Sequence, residues 1–278
     1  MKIVTTKFKY AGKPFNYDVM HDVFIQSCRK EMPDVDVVTI PIDNVKKVQD
    51  NKRPGYLSNT VKLKKYADFV MFCDEDLILA DCDMLCNGNA EVVFKELDFD
   101  IAITVKNPGH GTRCRINGGI IFVRDTPKAK AWVKEFNEVN EKMYKDEKFH
   151  KQWAEKYFGM NQAAMGYMID ASDNEAKVIE LPTRTWNNCD PDWDYVTDDT
   201  VFIHIKSSLR DAIFSHYGYK DHEKAMQLFY AYTGETDYKI RATTYAKRKR
   251  GRGKFYNPNP EASVRLRVKG GRLQEEKC

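Results

Sequence analysis

The first two thirds of the chain alternate between short apolar runs and stretches in which apolar residues recur with helical spacing. Residues 1–6 and 35–42 are apolar and rich in β-branched side chains, a composition typical of buried strands. Between them, the apolar positions follow the three- and four-residue spacing of a helix at Val19, Val23, Phe24 and Cys28. A strand, a helix and a second strand in this order predict a parallel pair of strands within an α/β fold.

The next part of the chain continues this alternation. The spacing predicts helices over about 57–66 and 128–143, the second of them opened by Pro127. Further apolar runs predict strands at 77–80, 100–105, 118–123, 177–182 and 200–205. The run 69–73 fits either the end of the first of these helices or a separate strand. Together the elements predict an α/β protein with a mixed, mainly parallel sheet that is flanked by helices.

Charge divides the chain into two parts. The 278 residues carry a net charge of +4, but residues 239–278 contain thirteen Lys or Arg and three Glu, a net charge of +10. Residues 1–238 therefore carry a net charge of −6. We interpret 1–238 as one globular domain and 239–278 as a basic C-terminal extension that is partly flexible.

Composition argues against several other classes of protein. A hydrophobic share of 42% and a charged share of 31% are typical of soluble globular proteins. No apolar run approaches the roughly 20 residues of a membrane helix, and the first ten residues lack the apolar stretch of a signal peptide. The seven cysteines are odd in number and form no CxxC pair, which favours free thiols in a reducing compartment. We therefore expect a cytoplasmic protein.

The strongest chemical signal is the segment LILADCDML, in which a short apolar strand ends in Asp81-Cys82-Asp83. Because side chains alternate along an extended chain, the two carboxylates point the same way, at the end of a strand where α/β sheets place ligands. Convergent carboxylates favour a divalent cation such as Mn²⁺ or Mg²⁺, although acid pairs at strand ends also cap helices. The acidic run at 74–76 is a rival pair that we interpret as a solvated loop.

Three later segments carry further candidate residues. RINGGIIFV places Asn117 and two glycines before a buried strand, where small residues either admit a ligand or form a tight turn. MNQAAMGYM places Asn161 at the head of a helix, where it either caps the helix or contacts a hydroxyl-rich ligand. VFIHIKSSLR contains His204, which is either a metal ligand or a structural histidine. It also contains Lys206 and Arg210, two cationic side chains that could bind a diphosphate.

In their order along the chain, these motifs resemble those of GT-A fold glycosyltransferases, and more narrowly the nucleotide-diphospho-sugar transferases with a D-x-D motif. The resemblance covers roughly residues 1–215 and depends on order and spacing rather than on any single motif. It implies a GT-A type, Rossmann-like fold. The segments that carry it are LILADCDML, DFDIAITV, RINGGIIFVRDTPKAKAWV, NQAAMG, VIELPTRTWN and FIHIK.

The resemblance also implies roles for residues that bind the metal and the diphosphate. Asp83 binds the metal directly, and Asp81 binds either the metal or the ribose. His204 completes the metal ligands. Lys206 and Arg210 contact the diphosphate of a nucleotide sugar.

Other roles concern the two ends of the donor. By the same resemblance, Thr5 and Thr6 lie near the nucleobase, with uridine favoured, while Asn117 and Gln162 face the sugar. The chain departs from the family pattern at Asn161, where many members have Asp. Its histidine segment also lacks the glycine and the Lys-Pro-Trp ending of some retaining relatives, which leaves acceptor and stereochemistry open.

The expected activity is the metal-dependent transfer of a sugar from a nucleotide-diphosphate sugar to a glycan or other hydroxyl acceptor. An inverting enzyme needs a general base, and the acidic loop NCDPDWDY offers Asp190 and Asp192 as catalytic candidates, unless it is simply a polar loop. A retaining enzyme needs no such base, and Gln162 would then lie under the anomeric carbon. We favour the retaining alternative.

Two other functions remain open on the sequence. A sugar nucleotidyltransferase also uses a metal held by carboxylates, but its glycine-rich triphosphate loop has no counterpart in KFKYAGKPFNY. The basic segment KRKRGRGK suggests binding to nucleic acid or to an anionic membrane surface. We consider nucleic acid unlikely as the main partner, and expect any membrane contact to be peripheral.

Overall fold

The computed structural model of the chain describes residues 1–8, 16–43, 54–106, 115–214 and 222–233, and the backbone of 265–269 and 272–276. Within these residues, the central sheet has six strands in the order β2-β1-β3-β6-β5-β7. All of them except β6 run in one direction. The strands are β1 (Lys2–Phe8), β2 (Asp36–Ile42), β3 (Leu77–Ala80), β5 (Ile101–Val105), β6 (Ile116–Val123) and β7 (Val178–Pro182).

Two shorter pairs of strands lie outside this sheet. The antiparallel pair of β4 (Met84–Cys86) and β8 (Phe202–His204) follows directly from the end of the central sheet. The antiparallel pair of β9 (Arg265–Lys269) and β10 (Arg272–Glu276) lies in the basic extension. The predicted domain boundary at residue 238 lies outside the described residues.

Helices cover both faces of the central sheet. The helix that begins at Pro127 starts there for two reasons. The Thr126 side chain accepts a hydrogen bond from the Ala129 N–H, and proline is favoured in the first turn of a helix. The helices are α1 (Asn16–Glu31), α2 (Pro54–Phe72), α3 (Glu91–Glu96), α4 (Pro127–Lys145), α5 (Glu147–Tyr157), α6 (Asn161–Asp170), α7 (Thr183–Trp186), α8 (Ser207–Phe214) and α9 (Glu223–Thr233).

The core follows from the alternation of side chains along the strands. Leu77 and Leu79 of β3 pack into a cluster with residues of α2, α4 and α6, while Ile78 and Ala80 pack into a cluster on the other face with residues of α1 and α3. A third cluster joins α1, α8, α9 and β8. Because both faces of β3 are buried, its short run of four apolar residues suffices for a central strand.

The observed fold confirms the predicted α/β class and the mixed, mainly parallel sheet. The apolar run 69–73 belongs to the end of α2, because Tyr66, Ala67 and Val70 follow helical spacing toward the core whereas Phe72 is exposed. The prediction from sequence omits α5, α8 and α9. In α5, for example, the apolar residues Phe149, Trp153 and Tyr157 do recur at helical spacing and pack in or against the core, so a signal for this helix was present in the sequence.

No described helix is both long and apolar enough to cross a membrane.

Candidate metal centre and ligand pocket

Two carboxylates and an imidazole meet at the end of β3. Asp81 follows β3, Asp83 precedes β4, and His204 ends β8. Each offers a ligand atom, and these atoms lie within 4.8 Å of one another. The Nε2 atom of His204 is 3.3 Å from Asp83 Oδ1 and 3.8 Å from Asp81 Oδ2. The pairing of Met84 with His204 explains how residues distant in sequence converge.

His204 is held by two hydrogen bonds of its backbone, and its ring packs against a glycine. Its backbone N–H donates to Asn188 O at 2.8 Å, and its carbonyl accepts from Trp193 Nε1 at 3.1 Å. The ring lies against Gly119, since a Cβ atom added there would be 2.5 Å from Nδ1. The carbonyl of Gly119 also accepts from the Asp81 N–H at 2.8 Å. The small residue in RINGGIIFV thus admits a histidine ring rather than leaving open space.

Positive side chains balance the carboxylates. The ammonium of Lys62 from α2 pairs with Asp81 Oδ1, and Arg210 Nη1 of α8 lies 3.9 Å from Asp83 Oδ2. Burial acts to raise the pKa of Asp83, but His204, and then Arg210 and Lys62, outweigh it and hold that pKa below its usual value. Asp83 is therefore a carboxylate at neutral pH.

A second contact of Arg210 connects α8 to α1. Its Nη1 donates to the Tyr17 hydroxyl at 2.6 Å. Burial, with the charge of Asp83, raises the pKa of Tyr17 to about 12, so the phenol stays neutral. Arg210 is thereby fixed beside the cluster, where it can meet an anionic ligand.

The donor set fits a divalent cation. Two carboxylate oxygens and one imidazole nitrogen converge within a small volume, and both carboxylates are at least half buried. Carboxylates suit Mn²⁺ and Mg²⁺, and an imidazole ligand suits Mn²⁺ better, because Mg²⁺ prefers oxygen ligands almost exclusively.

A pocket of about 140 Å³ opens beside the cluster. Thr6 from β1, Tyr17 from α1 and Ser58, Asn59 and Lys62 from α2 line it, together with Asp81 and Asp83. Its walls are the carboxyl ends of β1 and β3, the edge at which open α/β sheets bind ligands.

The remaining residues predicted for the donor occupy different positions. Thr6 lines the pocket, whereas Thr5 is fully buried in β1 between β2 and β3. Asn117 is buried, and its amide is engaged internally: Oδ1 accepts from the Gly119 N–H at 3.0 Å, and Nδ2 donates to Cys189 Sγ at 2.8 Å. These bonds hold the β6 end in place beside His204.

Lys206 and Gln162 lie on either flank. Lys206 is half buried, two residues beyond His204, and its backbone N–H donates to the His204 carbonyl at 3.0 Å. Gln162 is half buried in the first turn of α6, where its side chain lies against Gly159. Its neighbour Asn161 packs against Gly118, the residue before the glycine that supports His204.

The acidic loop does not join the cluster through any described contact. Asp192 is 1% exposed, and its Oδ1 accepts from Arg184 Nε at 3.1 Å. Asp190 is exposed, and Asp194 lies 3.6 Å from His222 Nδ1. The burial and the ion pair give Asp192 a structural position, and the assignment of Asp190 and Asp192 as general bases stays a prediction.

The rival acidic run lies at the opposite end of β3. Asp76 is 3.2 Å from Arg124 Nη1, and Glu75 pairs with the chain's N-terminal amine at 3.1 Å. Asp74 is 92% exposed and pairs with Lys130 at 3.3 Å. These surface ion pairs agree with the interpretation of 74–76 as a solvated loop.

Sequence reasoning missed Lys62 and Tyr17. A signal for Lys62 was available: Ser58, Asn59 and Lys62 recur at helical spacing and form a polar stripe on α2, whose opposite face is apolar. For Tyr17 we find no sequence signal, because its contact with Arg210 joins residues far apart in the chain.

Comparison with known proteins gives a family match for the chain. Residues 19–211, well over half of the chain, match the profile of a family described as nucleotide-diphospho-sugar transferase. A search of curated proteins gave no match.

Two solved structures are similar in fold. One is a glycosyltransferase involved in the glycosylation of the major capsid of PBCV-1, with 12% identity, a TM-score of 0.53, and coverage of 76% of this chain and 98% of that chain. The other is the glycosyltransferase GlyE of Streptococcus pneumoniae TIGR4, with 11% identity, a TM-score of 0.51, and coverage of 88% of this chain and 63% of GlyE. At such identities the likeness concerns the fold alone, which is the predicted GT-A type.

Proposed function

Because this chain belongs to the nucleotide-diphospho-sugar transferase family, we propose that it transfers a sugar from a nucleoside-diphosphate sugar to a glycan or other hydroxyl acceptor with the help of a divalent cation. The observation that carries the proposal is the convergence of Asp81, Asp83 and His204 at the rim of a pocket lined by the carboxyl ends of β1 and β3. Mn²⁺ is the cation we favour, and uridine diphosphate the nucleotide.

The charges of the site support joint binding of the cation and the donor. Asp81 and Asp83 are offset by Lys62 and Arg210, so the site is close to neutral as it stands. A divalent cation alone would add two positive charges to a partly buried site, which is costly. A diphosphate supplies the negative charge that offsets them. We therefore expect each to bind weakly alone and tightly together.

The residues around the pocket have distinct roles in this proposal. Asp81, Asp83 and His204 would hold the cation, which supplies Lewis-acid stabilisation of the departing nucleoside diphosphate. Arg210, fixed by Tyr17, contributes positive charge where the leaving diphosphate develops negative charge. Lys206 lies two residues from His204 and adds a second cation at the same edge.

The sugar end of the donor would lie toward the head of α6. Gln162 is in the first turn of that helix, and Asn161 packs against Gly118 of β6. We propose that Gln162 faces the anomeric carbon and that transfer retains configuration. The burial of Asp192 in an ion pair with Arg184 supports this choice over an inverting reaction with Asp192 as base.

The first test is a thermal-unfolding screen of nucleoside-diphosphate sugars with and without Mn²⁺. At a ligand concentration of 100 Kd, binding to the folded state stabilises by about 2.7 kcal/mol, a shift of roughly 5–10 °C for a chain of this size. We expect a Mn²⁺-dependent shift with one donor, and its loss in Asp83→Asn. The control is Asp74→Asn, which removes an exposed carboxylate at the opposite end of β3.

The screen also separates the alternative activity. A shift with nucleoside triphosphates and none with diphosphate sugars would favour a sugar nucleotidyltransferase and refute the proposal. If a donor raised the melting temperature of Asp83→Asn as much as that of the wild type, the three-residue cluster would not be part of the donor site. Sugar transfer, or slow hydrolysis of the stabilising donor, then identifies the reaction and the configuration of its product.

The basic extension is proposed to contact an anionic membrane surface. Its support is the net charge of +10 in residues 239–278. Sedimentation with anionic and neutral vesicles, for the full chain and for a chain ending at residue 238, tests this contact. Equal sedimentation of the two chains would rule it out.

A further inference from the structure

A second cavity is lined in part by the start of α2, the helix that also lines the pocket beside Asp81 and Asp83, which we call the donor pocket. It has a volume of about 250 Å³. Tyr56 lines this cavity, whereas Ser58 and Asn59, in the same turn, line the donor pocket. The remaining walls come from α5 and from the turn that follows it: Lys151, Ala154, Glu155, Phe158 and Gly159.

The turn between α5 and α6 has an unusual backbone. Phe158 has φ 58° and ψ 161°, a region that glycine occupies readily and other residues rarely do, and Gly159 follows with φ 66°. Two hydrogen bonds hold this turn: the Phe158 N–H donates to Ala154 O at 2.9 Å, and His150 Nε2 lies 2.8 Å from Gly159 O.

The strained position presents an aromatic ring to solvent. Phe158 is 58% exposed, so packing within the protein does not explain why a phenylalanine rather than a glycine stands there. Strained residues of this kind cluster at ligand sites, where the surrounding structure imposes a conformation that function requires. The exposed ring of Phe158 and the ring of Tyr56 give the cavity two aromatic walls.

Charged groups complete the cavity. Lys151 and Glu155 are both exposed and stand one helical turn apart on α5. The aromatic walls are complementary to the apolar C–H faces of a sugar ring, and the two charged side chains can form hydrogen bonds with its hydroxyls. An aliphatic chain has no groups that could form hydrogen bonds with the two charged side chains, so it fits the cavity less well.

One residue connects the cavity to the proposed sugar end of the donor. The side chain of Gln162 lies against Gly159, which lines the cavity, and Gln162 is the residue we place at the sugar end of the donor. A ligand in this cavity would therefore be a neighbour of the donor sugar.

We propose that this cavity is the acceptor subsite and that the acceptor is a glycan, one sugar of which packs on Phe158 while its hydroxyls bond Lys151 and Glu155. The inference rests on the proposed function and gives it an acceptor class. It also gives the strained turn a role, which is to keep the ring of Phe158 exposed at the cavity, where the acceptor can pack against it.

The test compares binding of the full-length wild type and three variants to an array of neutral and acidic oligosaccharides. Phe158→Gly removes the ring and relieves the backbone strain, so we expect binding to weaken by about tenfold without a fall in melting temperature. Phe158→Tyr keeps the ring and should bind like the wild type. Phe72→Ala, which removes a phenylalanine that is 90% exposed at the end of α2, is the matched control and should also bind like the wild type.

Two results would overturn the inference: no oligosaccharide binds the wild type, or Phe158→Gly binds as the wild type does. The thermal shift with Mn²⁺ and nucleotide sugar reports the donor site separately. If that shift is present while glycan binding ignores Phe158, the acceptor inference fails and the proposed function stands. If no donor produces a shift, the proposed function fails.

Discussion

Replacing Gly119 by alanine tests the proposed metal centre by crowding His204 while leaving the identity of every proposed ligand unchanged. The added Cβ would lie 2.5 Å from His204 Nδ1 and 2.6 Å from His204 Cε1, whereas ordinary contacts begin near 3.4 Å. The imidazole would therefore have to move by about 1 Å. The strand itself has little freedom, because the Gly119 carbonyl bonds the Asp81 N–H and its own N–H bonds Asn117 Oδ1.

A displacement of this size is large on the scale of a metal site. Ligand distances to a bound metal are held within roughly 0.2 Å, and changes in the residues that support ligands typically weaken metal binding by about 10–100-fold. We expect Gly119→Ala to lower the affinity for Mn²⁺ by that factor. The crowding should cost about 1–3 kcal/mol of folding stability.

The assay is calorimetric titration of Mn²⁺ in the presence of uridine diphosphate. Gly118→Ala is the control, since its Cβ would meet Met165 Cε at 3.8 Å and Asn161 Cβ at 3.9 Å, both ordinary contacts. It adds the same methyl group to the adjacent residue of the same strand. Chemical denaturation of both variants separates a loss of metal binding from a loss of folding.

The reasoning fails if folded Gly119→Ala binds Mn²⁺ as tightly as the wild type and Gly118→Ala do. His204 would then not be a metal ligand, or its ring would reach the cation from a different position. Weakened binding in both variants would show instead that any bulk at the end of β6 disturbs the site.

Three further predictions concern charge and burial. Lys62→Met should strengthen the binding of Mn²⁺ alone by roughly tenfold, because the cation no longer competes for Asp81; titration without nucleotide measures this, and unchanged affinity would contradict it. Asp192→Asn should lower the unfolding free energy by about 2–4 kcal/mol through the lost ion pair with Arg184, while sugar transfer per folded molecule persists; abolished transfer would restore Asp192 as a base. Burial lowers the pKa of His21 from 6.5, so the folded state resists protonation of this side chain. The stability that neutral His21 contributes is complete above about pH 6.5 and should be lost as the pH falls through the lowered pKa. In His21→Gln the free energy of unfolding, measured with urea, should therefore change less between about pH 7.5 and 5.5, and an unchanged slope would argue against this role.

Much of the fold was predictable because it depends on local pattern. The apolar run of β3 predicts a strand buried on both faces, and Pro127 marks the start of α4. Two of the helices that escaped prediction nevertheless have helical patterns: Phe149, Trp153 and Tyr157 of α5 recur at helical spacing, and α9 buries four side chains.

The site divides in the same way. The sequence places Asp81 and Asp83 directly after the apolar strand β3, but residues 82–83 form a turn in the structure, so strand alternation is not what brings the two carboxylates together. Only the pairing of β4 with β8 brings His204 within 3.3 Å of Asp83, and only the packing of α2 brings Lys62 to Asp81. The helical spacing of Ser58, Asn59 and Lys62 indicates a polar stripe on α2, but spacing alone does not identify the carboxylate that Lys62 meets.

The sequence by itself determined the α/β class, the position of the acidic pair at the end of a buried strand, and the order of motifs that resembles one family. These are properties of neighbouring residues, where strand and helix periodicity act directly. The tertiary structure decided which groups surround that pair: it placed Lys62, Arg210 and Gly119 around the pair and His204, and Phe158 at a second cavity. The reason is that burial of apolar surface determines how the helices and strands pack, and this burial does not depend on how far apart the residues are in the sequence.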